Sequence, residues 1–262
     1  MHGSHRDVLV DPSENLAQQN RYSLNPWLNP TQAIRPTVMS SQFNAPEFER
    51  VSPDLVDKAR AFQSAILCDV FGRRGTLNAR VQALHPSMKV AGPAFTVEVR
   101  PGDNLMFHVA LALASPGDVI IVNGKGDDTC ALFGELMVTQ SEAAGHAGLV
   151  VDAACRDTDT LSRGAFPIFA AGRNPCGPTK GLQGTIGKPI SVGGTPVLPG
   201  DLVVGDADGV VVIPRADVPK VLEAAQQKRA DEKVRLEEIA QGQLVSPWLN
   251  AALRSAGLPT LG

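Results

Sequence analysis

Arg156 and Asp157 close the run Gly148-Leu149-Val150-Val151-Asp152-Ala153-Ala154-Cys155, and the polarity of the chain changes abruptly there. Leu149 to Val151 read as a short buried strand. In α/β proteins, ligands bind beyond the carboxyl ends of strands. A guanidinium beside a carboxylate at that point suits an oxyanion together with a metal ion. The same two residues also suit an ion pair at a helix start, with Asp157 as N-cap of the segment 158–163, and exposed pairs of that kind contribute little. Residue types alone leave both readings open.

A second candidate lies upstream. Gly134-Glu135-Leu136-Met137 reads as the start of a helix that precedes the strand carrying Arg156. A helix start exposes unpaired amide groups and the positive end of the dipole, which favour a bound carboxylate or phosphate. Gly134 lets a ligand approach the backbone. Glu135 is either a reacting acid or a simple complement to the dipole. One helix, a turn and one strand fit between Glu135 and Arg156, so both can face one crevice. A site of oxygen ligands with no histidine cluster favours Mg²⁺ or Mn²⁺ over zinc.

The elements that must position these residues follow from periodicity. Ser52-Pro53-Asp54 opens a helix, with Ser52 as N-cap and Pro53 at the first helical position. Strand-like runs are expected at 94–99, 119–122, 149–151, 168–170, 202–204 and 210–213, with helices over 104–114 and 134–144. Met106, Val109, Ala110 and Leu113 give the first of these helices an apolar face. Strand, helix, strand, helix, strand is the order of an α/β core. After Gly181, short strands and Gly/Pro turns predict a more β-rich layer, followed by a long charged helix over 216–241 with Gly242 as its C-cap. Pro116-Gly117-Asp118 and Pro199-Gly200-Asp201 each predict a tight turn feeding a buried strand.

Composition narrows the function classes. The 262 residues carry a net charge of -3 and a pI near 6.0, with no basic stripe, which argues against a nucleic-acid partner. Cys68, Cys130, Cys155 and Cys176 contain no Cys-x-x-Cys pair, which points to reduced thiols. No apolar stretch approaches a membrane span, and the first residues lack the apolar core of a signal peptide. A cytoplasmic protein is expected. Residues 1–46 read as an irregular arm, rich in Asn, Gln, Ser and Pro over 15–46, with Trp27 as its anchor if it docks.

Other residues carry weaker signals. Gly124-Lys125-Gly126-Asp127-Asp128 lacks the spacing of a phosphate loop and reads as a surface turn. Asp206 and Asp208 fit hairpin chemistry better than metal binding. His85 and His108 have no triad partners, Asp69 reads as a helical or cap residue, and Lys125 and Lys180 have no buried strand context for a Schiff base. Asn174-Pro175-Cys176-Gly177-Pro178 forms an unusual insertion near the expected site.

Taken together, the motifs resemble a known family. They are Pro101-Gly102-Asp103-Asn104, Ser115-Pro116-Gly117-Asp118-Val119, Phe133-Gly134-Glu135-Leu136, Val151-Asp152-Ala153-Ala154-Cys155-Arg156-Asp157, Phe166-Pro167-Ile168-Phe169 and Gly205-Asp206-Ala207-Asp208-Gly209-Val210-Val211. In this order, from about Ala61 to Gly242, they resemble the RraA-like family, and more specifically its class II 4-hydroxy-4-methyl-2-oxoglutarate/4-carboxy-4-hydroxy-2-oxoadipate aldolases. The resemblance implies an α/β fold of the swivelling β/β/α sandwich type with a C-terminal helix, over 47–262. It also implies a homotrimer or homohexamer with sites between subunits.

By position, the resemblance makes Asp157 the protein ligand of a Mg²⁺ or Mn²⁺ ion and Arg156 the contact to the pyruvyl oxygens of a small 2-oxo acid substrate. The amides of Gly134, Glu135, Leu136 and Met137 would hold the substrate carboxylate. Glu135 stands where the family has an acid that positions the proton-donating water. A further carboxylate comes from the C-terminal helix of an adjacent subunit. Counting back from Gly242 gives Glu232, whereas counting forward from Gln227-Lys228-Arg229 gives Lys233; a solvated helix face is the other reading. The implied reaction cleaves a C–C bond to leave a pyruvate enolate, and oxaloacetate decarboxylation shares that enolate. The same family also includes a regulator that binds and inhibits a ribonuclease, so a non-catalytic protein is the alternative. No glycine-rich nucleotide fingerprint supports a methyltransferase.

Overall fold

Strands covered on both faces need apolar residues at successive positions, and the Val/Ile/Leu runs of this chain meet that requirement. The computed structural model describes residues 43–261. Most of the arm expected over 1–46, including Trp27, lies outside the described residues. Strands β1 (Gln82–Ala83), β2 (Val90–Glu98), β3 (Val119–Phe133), β4 (Gly148–Cys155), β5 (Ile168–Arg173), β9 (Leu202–Asp206) and β10 (Gly209–Ile213) lie in one mixed sheet in the order β1-β5-β4-β3-β2-β9-β10. A short β6 (Thr185–Ile186) pairs on β2, and β7 (Ile190–Val192) with β8 (Thr195–Val197) forms a separate hairpin. Strands β2 to β5 are mutually parallel, as helical crossovers between them require.

The helices are α1 (Pro53–Ala59), α2 (Ser64–Val70), α3 (Leu105–Leu113), α4 (Glu135–Ala143), α5 (Thr158–Arg163), α6 (Val218–Ala240) and α7 (Leu249–Ser255). Alternation along each strand sends successive side chains into different cores. Ile120, Val122, Leu149 and Val151 pack with Phe107 of α3 and Met137 and Val138 of α4. Val119, Ile121 and Val150 point the other way, onto Val203, Val210 and Val212. Leu202, Val204, Val211 and Ile213 face Val56, Leu67, Val221 and Leu222 of α1, α2 and α6. The result is the mixed α/β sandwich that the motifs imply, with helices on both outer faces.

The β-rich stretch after Gly181 forms its second layer as expected, but it is not independent of the first. Residues 90–93 of β2 pair antiparallel with β9, and residues 94–98 pair in parallel with β3. One strand therefore serves both layers.

Local expectations hold with instructive shifts. Ser52 Oγ accepts from the Leu55 amide at 3.4 Å and caps α1. In both expected Pro-Gly-Asp turns, glycine sits at positive φ (86° and 84°), the Asp amide returns to the residue before Pro, and the Asp carboxylate accepts that residue's amide. This is the geometry of a type II turn. Pro101-Gly102-Asp103 makes the same backbone turn. Gly124 to Asp128 does not reverse the chain; it forms a bulge inside β3, which runs on to Phe133. Lys125 and Gly126 take positive φ there, and a Cβ on Gly126 would sit 3.0 Å from Arg80 Nη2. The long helix begins at Val218, behind a 3₁₀ turn over Arg215–Asp217. All four thiols are free. Among the described residues, no helix is long and apolar enough to cross a membrane.

Candidate functional site

Strands β3 and β4 end side by side, and the Arg156 amide donates to Phe133 O at 3.0 Å, pinning the two ends together. Asp157 then takes φ 59° and ψ 29°. This left-handed conformation is costly for most residues, but Asp tolerates it better than others. Asp157 stands at the N-cap position of α5 yet makes no side-chain cap there, so the simple N-cap reading fails. Its carboxylate instead swings back to α4, where Oδ2 accepts from the Glu135 amide at 3.0 Å. The ion-pair reading holds only loosely. Arg156 Nε lies 3.7 Å from Asp157 Oδ2, beyond hydrogen-bond range, and the side chains are 45% and 40% exposed.

Gly134 has an extended backbone that any residue could adopt (φ −157°, ψ −160°). Space is what demands glycine. A Cβ there would lie 2.3 Å from Asp157 Oδ2 and 2.9 Å from Arg156 Cγ. Beyond it the chain enters α4. Glu135 and Leu136 are exposed at the lip, and Met137 is buried beneath them. With the Glu135 amide taken by Asp157, the amides of Leu136 and Met137 have no acceptor among the described residues. Two free donors at a helix start form an anion cradle. The sequence-predicted residues Gly134, Glu135, Leu136, Met137, Arg156 and Asp157 thus come together at one end of the sheet.

The structure adds residues that the sequence reading did not single out as part of the site. Asn104, at the start of α3, donates from Nδ2 to Leu132 O at 2.7 Å and to Met137 Sδ at 3.4 Å, bracing the chain on both sides of Gly134. Its Oδ1 and the Nε2 of His108, one helical turn on, are buried and without a partner among the described residues. Burial, then the charge of Lys180, pushes the His108 imidazole below its ordinary range. Strand β5 runs past the expected Ala170 to Arg173, which pairs with Cys155. Arg173 therefore stands at a strand's carboxyl end, as Arg156 does, and reading β5 at its full length would have revealed it.

The Asn174–Pro178 segment is pinned over this end of the sheet. The Asn174 amide donates to Cys155 O at 3.0 Å, its Nδ2 donates to Asp128 O at 2.8 Å, and Cys176 O accepts from the Ala131 amide at 2.8 Å. A Cβ on Gly177 would come within 3.1 Å of Arg156 Nη1. Cys155–Thr158 and Arg173–Pro175 line an open depression of about 250 Å³. The Cys155 thiol below it is pushed up to about 11, first by burial; Arg173 pulls it down and Asp157 adds to the rise.

Asp157 is the residue of this group that could hold a cation, because its Oδ1 makes no hydrogen bond among the described residues. Among the described residues, no three His, Cys, Asp or Glu side chains form a metal-binding group within one chain. One open carboxylate oxygen fits a hard cation that brings most of its ligands as water and substrate, rather than a closed cage. Glu232 is not part of this arrangement within the chain. It lies on α6, where Lys228 Nζ bridges Glu232 Oε1 and Asp69 Oδ2, each at 3.1 Å. The Asp206 carboxylate is engaged within the chain. Both its oxygens accept from Ser64, capping α2, and Oδ1 also takes the Asp208 amide.

Comparison with known proteins agrees with this architecture. A protein from Halalkalibacterium halodurans, provisionally named a 4-hydroxy-4-methyl-2-oxoglutarate aldolase, is 41% identical over 182 residues, covering 70% of this chain and 87% of its own. The crystal structure of an uncharacterized protein from Pseudomonas syringae superposes with a TM-score of 0.68 at 27% identity, over 78% of this chain and 95% of that one. Streptomyces coelicolor RraAS2, described as an unusual member of the RNase ES inhibitor RraA family, superposes with a TM-score of 0.66 at 29% identity, over 72% of this chain and 98% of its own. The family model for RraA-like proteins (Aldolase/RraA) matches residues 53–212, the stretch from α1 to β10 that carries the site, and the chain belongs to that family.

Proposed function

We propose that the protein is a carbon–carbon lyase. It cleaves a 4-hydroxy-2-oxo diacid such as 4-hydroxy-4-methyl-2-oxoglutarate or 4-carboxy-4-hydroxy-2-oxoadipate to pyruvate and a second 2-oxo acid, and it decarboxylates oxaloacetate as a side activity. The observation that carries this reading is the carboxylate of Asp157, held by the Glu135 amide with one oxygen open, beside Arg156 and a pair of free helix-start amides. The name carried by the Halalkalibacterium relative supports the same chemistry.

In this reading the amides of Leu136 and Met137 hold the carboxylate of the 2-oxo acid. Asp157 would hold Mg²⁺ or Mn²⁺, which when bound would supply Lewis-acid polarisation of the neighbouring carbonyl. Arg156 lies against the negative charge that develops as the C4 hydroxyl gives up its proton to water, the C3–C4 bond breaks and its electron pair passes into the pyruvate enolate, the C4 oxygen becoming the carbonyl of the second 2-oxo acid. Glu135, exposed at the lip, orients the water whose proton returns to the enolate carbon. Glu232 completes the site from α6 of a neighbouring copy in a homotrimer or homohexamer.

The test is pyruvate release, coupled to lactate dehydrogenase, from either diacid and from oxaloacetate, with Mg²⁺ and after chelation. Metal-dependent turnover is expected. The alternative is a non-catalytic regulator, favoured by the likeness to RraAS2. No turnover on any of the three compounds, with tight binding of a protein partner such as a ribonuclease, would establish that reading instead.

A further inference from the structure

Arg173 is a second cation on the same depression as Arg156 and Asp157, and nothing in the pyruvyl half of the site uses it. It ends β5 exposed, and its guanidinium makes no hydrogen bond or ion pair among the described residues. Its backbone is fixed from both sides: by pairing with Cys155 in the sheet and by the Asn174 amide on Cys155 O. The side chain therefore starts from a defined point next to Arg156. Its charge acts on the same buried thiol as that of Asp157, with opposite sign.

Charge matching suggests what it binds. The depression is lined by two arginines and one aspartate, an excess of positive charge before any cation is bound. In the proposed reaction the pyruvyl half takes up the helix-start amides and Arg156. The other half of the substrate still carries one or two carboxylates, and it leaves as a 2-oxo acid with its charge intact. A carboxylate placed there without a partner would cost the complex much of its binding energy, whereas a planar guanidinium can hold it with two parallel hydrogen bonds.

We infer that Arg173 is a specificity-determining residue that binds the distal carboxylate of the diacid, on the leaving half of the substrate. This inference rests on the aldolase reading of the site and sharpens it. An enzyme so built prefers dianionic and trianionic substrates to 4-hydroxy-2-oxo acids with a neutral tail.

The experiment compares Arg173→Gln and Arg173→Lys with the wild type in two reactions with Mg²⁺ present. One is pyruvate release from 4-hydroxy-4-methyl-2-oxoglutarate. The other is exchange of the pyruvate methyl protons in D₂O, which needs the pyruvyl half alone. For Arg173→Gln, the KM for the diacid should rise about tenfold to a hundredfold relative to that for exchange, the size of a lost charge-assisted contact, and Arg173→Lys should recover part of the loss. An unchanged ratio of the two KM values would overturn the assignment, as would an equal loss in both reactions, since Arg173 would then serve the pyruvyl half. A wild-type protein that neither cleaves the diacid nor exchanges pyruvate protons would overturn the aldolase reading itself, and that outcome is visible before any variant is made.

Discussion

Asp152 and Asp157 belong to the same stretch of chain, one within β4 and one just past its end, and each faces an arginine. Asp152 is 2% exposed and accepts from Arg80 Nε at 2.7 Å, from Arg80 Nη2 at 2.8 Å and from the Gly193 amide at 3.0 Å. Its hydrogen-bonding capacity is used inside the protein, tying β4 to the β1 and β7–β8 regions. Asp157 is 40% exposed, takes one amide, and keeps its arginine at 3.7 Å without a hydrogen bond. Arg50 and Asp118 repeat the saturated pattern, with bonds of 2.7 and 2.8 Å onto a carboxylate 1% exposed. An arginine–aspartate pair that satisfies itself is part of the scaffold. One held apart, by a left-handed residue and a glycine, keeps its bonding capacity for something else.

The sharpest way to break this comparison is to remove the two carboxylates in turn. Asp157→Ala should bring metal-dependent pyruvate release down by about a thousandfold or more, as expected when a charge-stabilising centre is lost, with a thermal midpoint close to wild type. Asp152→Ala should do the reverse. It strips Arg80 and the Gly193 amide of their acceptor and costs about 2–3 kcal/mol of stability, the upper range for bonds to a charged group, with the melting point lower by roughly 5–10 °C. Equal loss of activity and stability in both variants would erase the distinction.

A smaller change tests how the open pair is held. In Gly134→Ala the new methyl meets Asp157 Oδ2, a side-chain atom that can move, so the fold should survive while the carboxylate is displaced. A kcat lower by about ten- to a hundredfold is expected from a misplacement of that order; wild-type kcat would show that the position of Asp157 is unimportant. The smallest effect concerns another saturated carboxylate. Burial alone would raise the pKa of Asp103, but hydrogen bonds from Gly181, Leu105, Thr179 and Leu182 outweigh it and hold the group below its ordinary range. A depressed folded pKa contributes stability above the unfolded value near 4 and loses it as pH falls through the folded one. Urea midpoints measured from pH 7 to 3 should therefore fall on the acid side, and Asp103→Asn should flatten that limb.

The sequence displayed the centres of the strands and hid their ends. Val119–Val122 and Leu149–Val151 are apolar runs that announce themselves. The continuation of β3 through Gly124–Asp128 is rich in glycine and charge, and that of β5 is Ala171-Gly172-Arg173; neither favours a strand, and each is one only because neighbouring strands pair with it. Arg156, Asp157 and the Gly134 helix start were legible because chemistry and turn signals coincide at those positions. Arg173 and Asn104 were not recognised as site residues, since each depends on a partner brought near by the fold. The reach of Asp157 back to α4 was equally hidden: an Asp before a helix looks like that helix's own cap, and only a φ of 59° turns it toward another.

The shared strand β2 has a consequence for how the chain folds. Its first residues pair with β9, as in Val90 with Gly205, and its last with β3, as in Glu98 with Asn123. The β2–β9 pairing joins segments far apart in sequence and forms late and slowly, because a long loop must close before it contributes. The antiparallel layer cannot be completed until β9 has arrived at β2, and by then most of the chain has been laid down. Neither layer is a free-standing half, so folding of the two is expected to be concerted and slow, with the edge of β2 left open for β9 while it waits.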